Sequence, residues 1–191
     1  PVLDPFWSRV NEAGITTVVH AGDSGYSTQG YAEDGFSSSG VSSGMGRYRP
    51  SIKAFNIERA AHDWLITMSM EKMFTRFGNL RIASVENGSD YLRPMFRKLE
   101  QQARKSPRWF DEDPVALFRE HVWMNPFWED DVDEVVALMG PDHVIFGSDW
   151  PHIEGMPTPL DYLPEVAGLP DADRRLVLRD NTRALTELRP A

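Results

Sequence analysis

Four short apolar segments, separated by longer segments with helical periodicity, set the strongest limit on how this chain can fold. The apolar segments occupy residues 16–20, 80–85, 121–124 and 143–147. Their apolar side chains are nearly continuous instead of alternating with polar ones, which is typical of parallel strands covered on both faces. The sequence therefore predicts four buried strands of a parallel sheet.

The intervening segments carry helical signals. Apolar residues recur at close to a helical period over residues 57–77, and shorter helices are predicted over 91–103 and 129–139. Near the end of the chain, Thr158 before Pro159 predicts a helix start, and Asp171 is predicted to cap a helix that runs to about residue 180.

Strands that alternate with helices predict an α/β fold with a parallel sheet and right-handed crossovers. No linker or internal repeat divides the chain, so we expect residues 1–191 to form one domain or part of one. A loop rich in Gly and Ser interrupts the alternation at residues 21–50. Loops of this length inside a domain are usually functional or disordered, so it is either a mobile lid over a site or an insertion that is floppy or contacts a partner.

The charge and residue content limit the class of ligand. The chain has 20 Lys and Arg against 29 Asp and Glu, a net charge of -9. This excess of acid disfavours binding to nucleic acids or anionic membranes, which requires clustered cations. The chain has no Cys, so a metal would have to bind to His, Asp or Glu. No signal peptide or membrane-spanning segment is evident, and we expect a cytoplasmic protein that acts on a small molecule.

Three ionisable residues follow predicted strands directly. His20 ends the first strand, Glu86 follows the second, and Asp149 follows the fourth. Ligands of parallel α/β folds bind at the carboxyl ends of the strands, so these side chains are candidates for one site. A single strand-end His is more often structural, and Asp149 alone could cap a helix. Three such residues at one edge favour a functional site that could bind a cation or transfer a proton.

The remaining histidines are weaker candidates. His121 and His143 begin predicted strands, so they belong to the opposite edge, where residues usually serve stability. His62 lies within a predicted helix and is most simply a packing or surface residue. His152 follows Asp149 by three residues and could support the site through a hydrogen bond.

Five sequence segments resemble the carboxy-terminal half of the amidohydrolase superfamily, in the subgroup with aminocarboxymuconate-semialdehyde decarboxylase and the hydroxybenzoate decarboxylases. The most specific is HVIFGSDWPHIEG at residues 143–155. The others are TTVVHAG at 16–22, MFTRFGNLRIASVENGSDYL at 73–92, FREHVWMNPFWEDDV at 118–132, and PLDYLPEVAGLPDADRRLVLRDNTRALTEL at 159–188. The resemblance implies a (β/α)₈ TIM barrel, with the four predicted strands as its fifth to eighth.

The resemblance also implies roles for individual residues. His20 and Asp149 match metal ligands, with zinc the expected metal and manganese the alternative, and Asp149 also matches the catalytic proton acceptor. Glu86 lies where many members have a catalytic His, so its role differs from theirs. We expect His152, Asn87 and Trp150 to contact substrate. The resemblance further implies a metal-dependent hydrolase or nonoxidative decarboxylase that acts on a small carboxylate, amide or lactone, and a homodimer.

One family feature is absent. Members carry a His-x-His pair on the first strand, and this chain has none. A (β/α)₈ barrel typically takes about 250 residues, and the sequence does not begin with Met. We therefore expect a carboxy-terminal portion of a longer enzyme. The alternatives are a non-catalytic barrel relative that binds a ligand, and a half-barrel that assembles with another chain.

Overall fold

The computed structural model describes residues 2–22, 58–152 and 155–189 of the chain. The predicted loop at residues 21–50 lies outside the described residues from position 23 onward. No helix in the described part of the chain is long and apolar enough to cross a membrane.

The described elements alternate as predicted. They are α1 (Asp4–Ala13), β1 (Thr16–His20), α2 (Arg59–Met70), α3 (Met73–Arg76), β2 (Arg81–Val85), α4 (Leu92–Lys105), α5 (Pro114–His121), β3 (Val122–Met124), α6 (Val132–Met139), α7 (Asp171–Arg175) and α8 (Asn181–Thr186). Short 3₁₀ helices span Pro141–His143 and Pro159–Tyr162, and a π-helical turn, Leu176–Asp180, joins α7 to α8.

The three strands form a parallel sheet in the order β1-β2-β3. Thr16 pairs with Arg81 and His20 with Val85, while Ile82 pairs with Val122. The polypeptide thus has the α/β class and parallel sheet that the sequence predicts. In this register the carboxyl ends of β1 and β2 are level, which places the residues that follow them side by side.

The prediction of a full fourth strand at residues 143–147 is wrong. This segment pairs with β3 over a short stretch only. It contributes one parallel bridge, between Met124 and Val144, and one further bond from the Ile145 N–H to the Met124 carbonyl at 2.8 Å. The ladder with β3 stops there because residue 126 is Pro and has no N–H for the Ile145 carbonyl, which accepts from the Asn125 side-chain amide at 3.3 Å. The other side of the segment faces the C-terminal helices. The Phe146 N–H donates to the Val177 carbonyl at 3.1 Å, and the Asn181 amide donates to the Val144 carbonyl at 2.7 Å.

Several helix predictions need correction. The predicted helix at residues 57–77 breaks between α2 and α3, because Lys72 adopts a left-handed conformation with φ 54°. The predicted helix at 129–139 begins only at Val132, where the Asp131 carboxylate accepts a hydrogen bond from the Glu134 N–H at 3.1 Å.

The C-terminal predictions are partly wrong. Thr158 makes no capping hydrogen bond, and the turn after it is a 3₁₀ helix. Asp171 is the first residue of α7 instead of its cap, which is Pro170. Helix α5 was not predicted, although Asp113 before Pro114 is a strong helix start, with the Asp113 side chain accepting from the backbone of the first turn.

The core lies between the sheet and the helices. Its most deeply buried side chains include Leu65, Ile82, Leu92, Phe118, Val122 and Val177. On the other face of the sheet Val18 is 57% exposed, and within the described residues β1 has no neighbouring strand on its outer edge.

The amino ends of the strands are tied to the C-terminal segment. Arg81 is buried, and its guanidinium donates to the carbonyls of Ala184 at 2.9 Å, Glu187 at 2.7 Å, and Gly14. His121 is also buried near this edge, with its ring Nδ1 2.7 Å from the Leu80 carbonyl. This edge therefore stabilises the fold, and the ionisable cluster lies at the opposite one.

Candidate metal centre

Two carboxylates extend from the carboxyl edge of the sheet on tightly turned backbone. Glu86 follows β2 with φ 59°, and Asp149 follows the fourth segment with φ 55°. Both are left-handed conformations that cost side-chain-bearing residues roughly 1–3 kcal/mol and that cluster at functional sites. The two turns bring the Glu86 and Asp149 carboxyl groups close enough to share a hydrogen bond.

Two histidines flank this carboxyl pair, one on each side. His20 Nε2 lies 2.8 Å from Glu86 Oε2, and His152 Nδ1 lies 3.7 Å from Asp149 Oδ2. The order in space is His20, Glu86, Asp149, His152. We call these four residues the strand-end cluster. The structure thus brings together four of the side chains that the sequence singles out.

The cluster has a buried centre and exposed ends. The Glu86 side chain is 17% exposed, whereas the side chains of His20 and His152 are 59% and 60% exposed. Burial is the main reason that the pKa of Glu86 is raised above its ordinary value of 4.5, and the neighbouring Asp149 charge and the shared hydrogen bond raise it further. His20 and His152 act in the opposite direction. Two adjacent carboxylates cannot both be ionised without a cost, which either a shared proton or a bound cation removes.

The donor set fits a divalent cation. Glu86, Asp149 and His152 each offer a ligand atom, and these atoms lie within 4.8 Å of one another. Carboxylate oxygen together with imidazole nitrogen is a common ligand set for zinc and is also suitable for manganese. The sequence predicts His20 and Asp149 as metal ligands. The structure groups Asp149 with Glu86 and His152, and His20 joins the cluster through its contact with Glu86.

Asn87 and Trp150 are the other residues predicted to contact substrate. Asn87 is buried, whereas Trp150 is exposed. Asn87 is 2% exposed, and its amide nitrogen donates to the carbonyls of Val19 at 2.8 Å and Val85 at 2.9 Å. It therefore joins the ends of β1 and β2 beneath Glu86. Trp150 is 64% exposed beside Asp149, so its indole is open to a ligand.

Asn125 is a buried residue of this edge that the sequence interpretation missed. Its Oδ1 accepts from the Glu86 backbone N–H at 3.4 Å, and its Nδ2 donates to the Ile145 carbonyl at 3.3 Å. Its position in the sequence could have identified it, because Asn125 directly follows β3, as Glu86 follows β2.

A second group of acidic residues lies beside the loop after β2. Glu58 packs against Gly88, whose φ is 64°, so closely that a Cβ on Gly88 would lie 2.1 Å from Glu58 Oε1. Burial, with Asp90 and Asp130 nearby, raises the pKa of Glu58 to about 7. Asp130 accepts from the Ser89 hydroxyl at 2.7 Å and thereby holds the same loop. The loop that carries Glu86 is therefore fixed at both of its ends.

A comparison with known protein families identifies the family of this chain. The family described as amidohydrolase matches residues 1–187. The chain belongs to the amidohydrolase family. A comparison with curated proteins finds no match.

Solved structures agree with this fold. The chain is 35% identical to an amidohydrolase from Mycobacterium avium subsp. paratuberculosis K-10, with a TM-score of 0.81 over 96% of this chain and 45% of that one. It is 14% identical to 5-carboxyvanillate decarboxylase from Sphingomonas paucimobilis, with a TM-score of 0.71 over 99% and 54% of the two chains.

A third structure is a dihydroxybenzoic acid decarboxylase from Polaromonas sp. JS666 with bound manganese. The chain is 16% identical to it, with a TM-score of 0.65 over 95% of this chain and 52% of that one. At these lower identities the likeness concerns the fold alone. The chain spans about half the length of the solved structures that it matches.

Proposed function

We propose that this chain is the carboxy-terminal half of a (β/α)₈ metal-dependent enzyme that hydrolyses, or decarboxylates without oxidation, a small carboxylate, amide or lactone. The observation that carries the proposal is the strand-end cluster, in which Glu86, Asp149 and His152 offer ligand atoms within 4.8 Å of one another. The cluster lies where enzymes of parallel α/β architecture bind their ligands.

The cation in this proposal is zinc or manganese, held by Asp149 with Glu86, His20 or His152. Further ligands, a His-x-His pair, would come from residues outside this sequence. A divalent cation at this position would supply Lewis acidity, polarising a substrate oxygen or acidifying a water molecule.

The side chains of the cluster would then divide the proton transfers. Glu86 has a raised pKa because it is buried beside Asp149, so it is suited to hold a proton and deliver it to the leaving group or to carbon. Asp149 accepts the proton of the attacking group or returns it to Glu86 through their shared hydrogen bond. His20, 2.8 Å from Glu86, orients that carboxyl group. Trp150, together with His152 where His152 does not bind the cation, contacts the substrate at the exposed rim.

We also propose that the exposed outer edge of β1 pairs with a strand outside this sequence. An open parallel edge with Val18 57% exposed would otherwise be available for aggregation. Such pairing would close the barrel.

We separately propose that the intact protein is a homodimer, as its resemblance to the amidohydrolase superfamily implies. Sedimentation equilibrium of the intact protein at twice the protomer mass supports this assembly, and a monomer at micromolar concentration contradicts it.

The experiment that tests the function measures metal content and turnover of the intact protein and its variants. Asp149→Asn is expected to abolish both, because it removes a ligand and the proton acceptor. Asp142→Asn is a matched control, since Asp142 forms a similar Asp–His contact, 3.3 Å from His143 Nδ1, away from the cluster. If the wild-type protein contains no metal, or Asp149→Asn retains full turnover, the proposal is wrong.

A further inference from the structure

We infer that Asn125 is the positioning residue that sets the separation between the two carboxylates of the strand-end cluster. The inference rests on the proposed function, and it assigns a role to a residue outside the strand-end cluster. Asn125 lies directly after β3, between the segments that carry Glu86 and Asp149. It is 7% exposed, so its amide group makes its hydrogen bonds within the protein.

The two ends of the Asn125 amide contact different segments. Oδ1 accepts from the Glu86 N–H at 3.4 Å, on the backbone of the residue whose carboxyl group enters the cluster. Nδ2 donates to two carbonyls, that of the adjacent Pro126 at 3.2 Å and that of Ile145 at 3.3 Å, the latter on the segment that leads to Asp149. One rigid, planar group therefore joins the backbones of both carboxylate-bearing segments.

Gly147 packs the amide in place from the Asp149 side. A Cβ on Gly147 would lie 3.1 Å from Asn125 Oδ1 and 3.3 Å from Nδ2. The amide is thus in close contact with the Gly147 backbone, two residues before Asp149. Because Glu86 and Asp149 both have left-handed backbone, their side-chain directions depend on where these segments are held. Displacement of the amide would move the two carboxyl groups relative to each other.

The ladder of the sheet does not set this distance by itself. The fourth segment makes one bridge with β3, at Val144, and Pro126 has no N–H with which to extend the ladder. At this point the Asn125 side chain joins the two sides, with hydrogen bonds to the Ile145 carbonyl and to the Glu86 N–H. A polar amide is suited to this position because a backbone donor and a backbone carbonyl face it from opposite sides.

A matched control separates positioning from general stability. Asn181 is 5% exposed, and its Nδ2 also donates to two backbone carbonyls, those of Pro141 and Val144. It holds the same segment from the other side and has no hydrogen bond to Glu86. Asn125→Ala and Asn181→Ala should therefore lower the urea midpoint of unfolding to a similar extent, while their effects on the cluster differ.

The test uses the intact protein, which contains all the proposed ligands, and two readouts. The first is hydrogen exchange at the Glu86 amide without metal, which Asn125→Ala should accelerate by roughly fivefold or more relative to Asn181→Ala. The second is the affinity for Mn²⁺ alone, measured by electron paramagnetic resonance of the free ion. Loss of a supporting hydrogen bond typically lowers metal affinity about 10- to 100-fold, and we expect this loss for Asn125→Ala but not for Asn181→Ala.

A second variant keeps the test decisive if Asn125→Ala does not fold. Gly147→Ala leaves the amide chemically intact but crowds it, since the new methyl group would lie 3.1 Å from Oδ1. It should produce both changes in weaker form.

The outcomes distinguish the two levels of the proposal. If wild-type protein binds no Mn²⁺ but Asn125→Ala accelerates exchange at Glu86, the metal function is wrong and the structural contact stands. If wild-type protein binds Mn²⁺ and Asn125→Ala binds it equally well, the positioning role is wrong and the proposed function stands. Equal losses of affinity in Asn125→Ala and Asn181→Ala would also overturn the positioning role.

Discussion

Substitution of Glu58 by Gln should stabilise the chain at alkaline pH and leave it unchanged near pH 4.5. Glu58 is half-buried against Gly88, with Asp90 and Asp130 nearby, and its pKa is raised from 4.5 to about 7. Because the folded state holds this proton more tightly than the unfolded chain, stability falls as pH rises from about 4.5 to about 7. Above pH 7 the full cost of the charge is present.

The size of the effect follows from the shift. A pKa difference of this size corresponds to an upper limit of about 3 kcal/mol, at about 1.4 kcal/mol for each pKa unit. The carboxyl group is only half-buried, and solvent screening reduces the expected effect to about 1 kcal/mol. Glu58→Gln removes the charge and keeps the shape, so it should add about 1 kcal/mol to the free energy of unfolding at pH 8.

The assay is urea unfolding followed by circular dichroism at pH 4.5, 6, 7 and 8. Glu129→Gln, at an exposed position in the same acidic region, is the control for the change in net charge. The reasoning is refuted if Glu58→Gln and wild-type protein show parallel pH dependence, or if Glu129→Gln gives the same gain at pH 8.

Three further predictions concern the cluster, the opposite edge of the sheet and the loop after β2. Glu86→Gln should raise the free energy of unfolding of the metal-free chain at pH 8, because it removes a largely buried charge beside Asp149. The same substitution should abolish Mn²⁺ binding. A loss of stability at pH 8 would contradict this prediction. Arg81→Met should cost roughly 2–4 kcal/mol in urea unfolding, because three backbone carbonyls lose their donor; an unchanged midpoint would contradict it. Gly88→Ala should cost roughly 1–3 kcal/mol in the same assay, since its left-handed backbone and the contact with Glu58 leave no room for a Cβ; a neutral effect would be inconsistent with the packing.

The sequence alone predicts the three strands of the sheet. Strand β1 has the predicted bounds, and β2 and β3 each begin one residue later than predicted. These strands could be predicted because each is a continuous apolar run bounded by turn residues, which is a local sequence pattern. The fourth strand is shorter than predicted, because Pro126 on the neighbouring segment cannot donate to the Ile145 carbonyl and the Asn125 side chain does so instead. That contact joins residues 20 positions apart, so no local pattern in residues 143–147 indicates it.

The candidate site was predictable in its members and not in its geometry. Position after a strand is a local property, and it identified His20, Glu86 and Asp149. The pairing of Glu86 with both His20 and Asp149 depends on the left-handed turns, which Glu and Asp rarely adopt and which no local pattern indicates. Asn125 shows the same limit, because only the packed structure shows that it contacts two segments.

The most direct test of the account is the position of a bound cation. Crystals of the intact protein grown with Mn²⁺ and measured at the manganese absorption edge would locate it by anomalous scattering. The account predicts a peak within about 2.0–2.3 Å of carboxylate oxygens of Asp149 or Glu86 at the carboxyl edge of the sheet. A fully occupied manganese peak elsewhere, with no peak beside the Glu86 and Asp149 carboxyl groups, would contradict it.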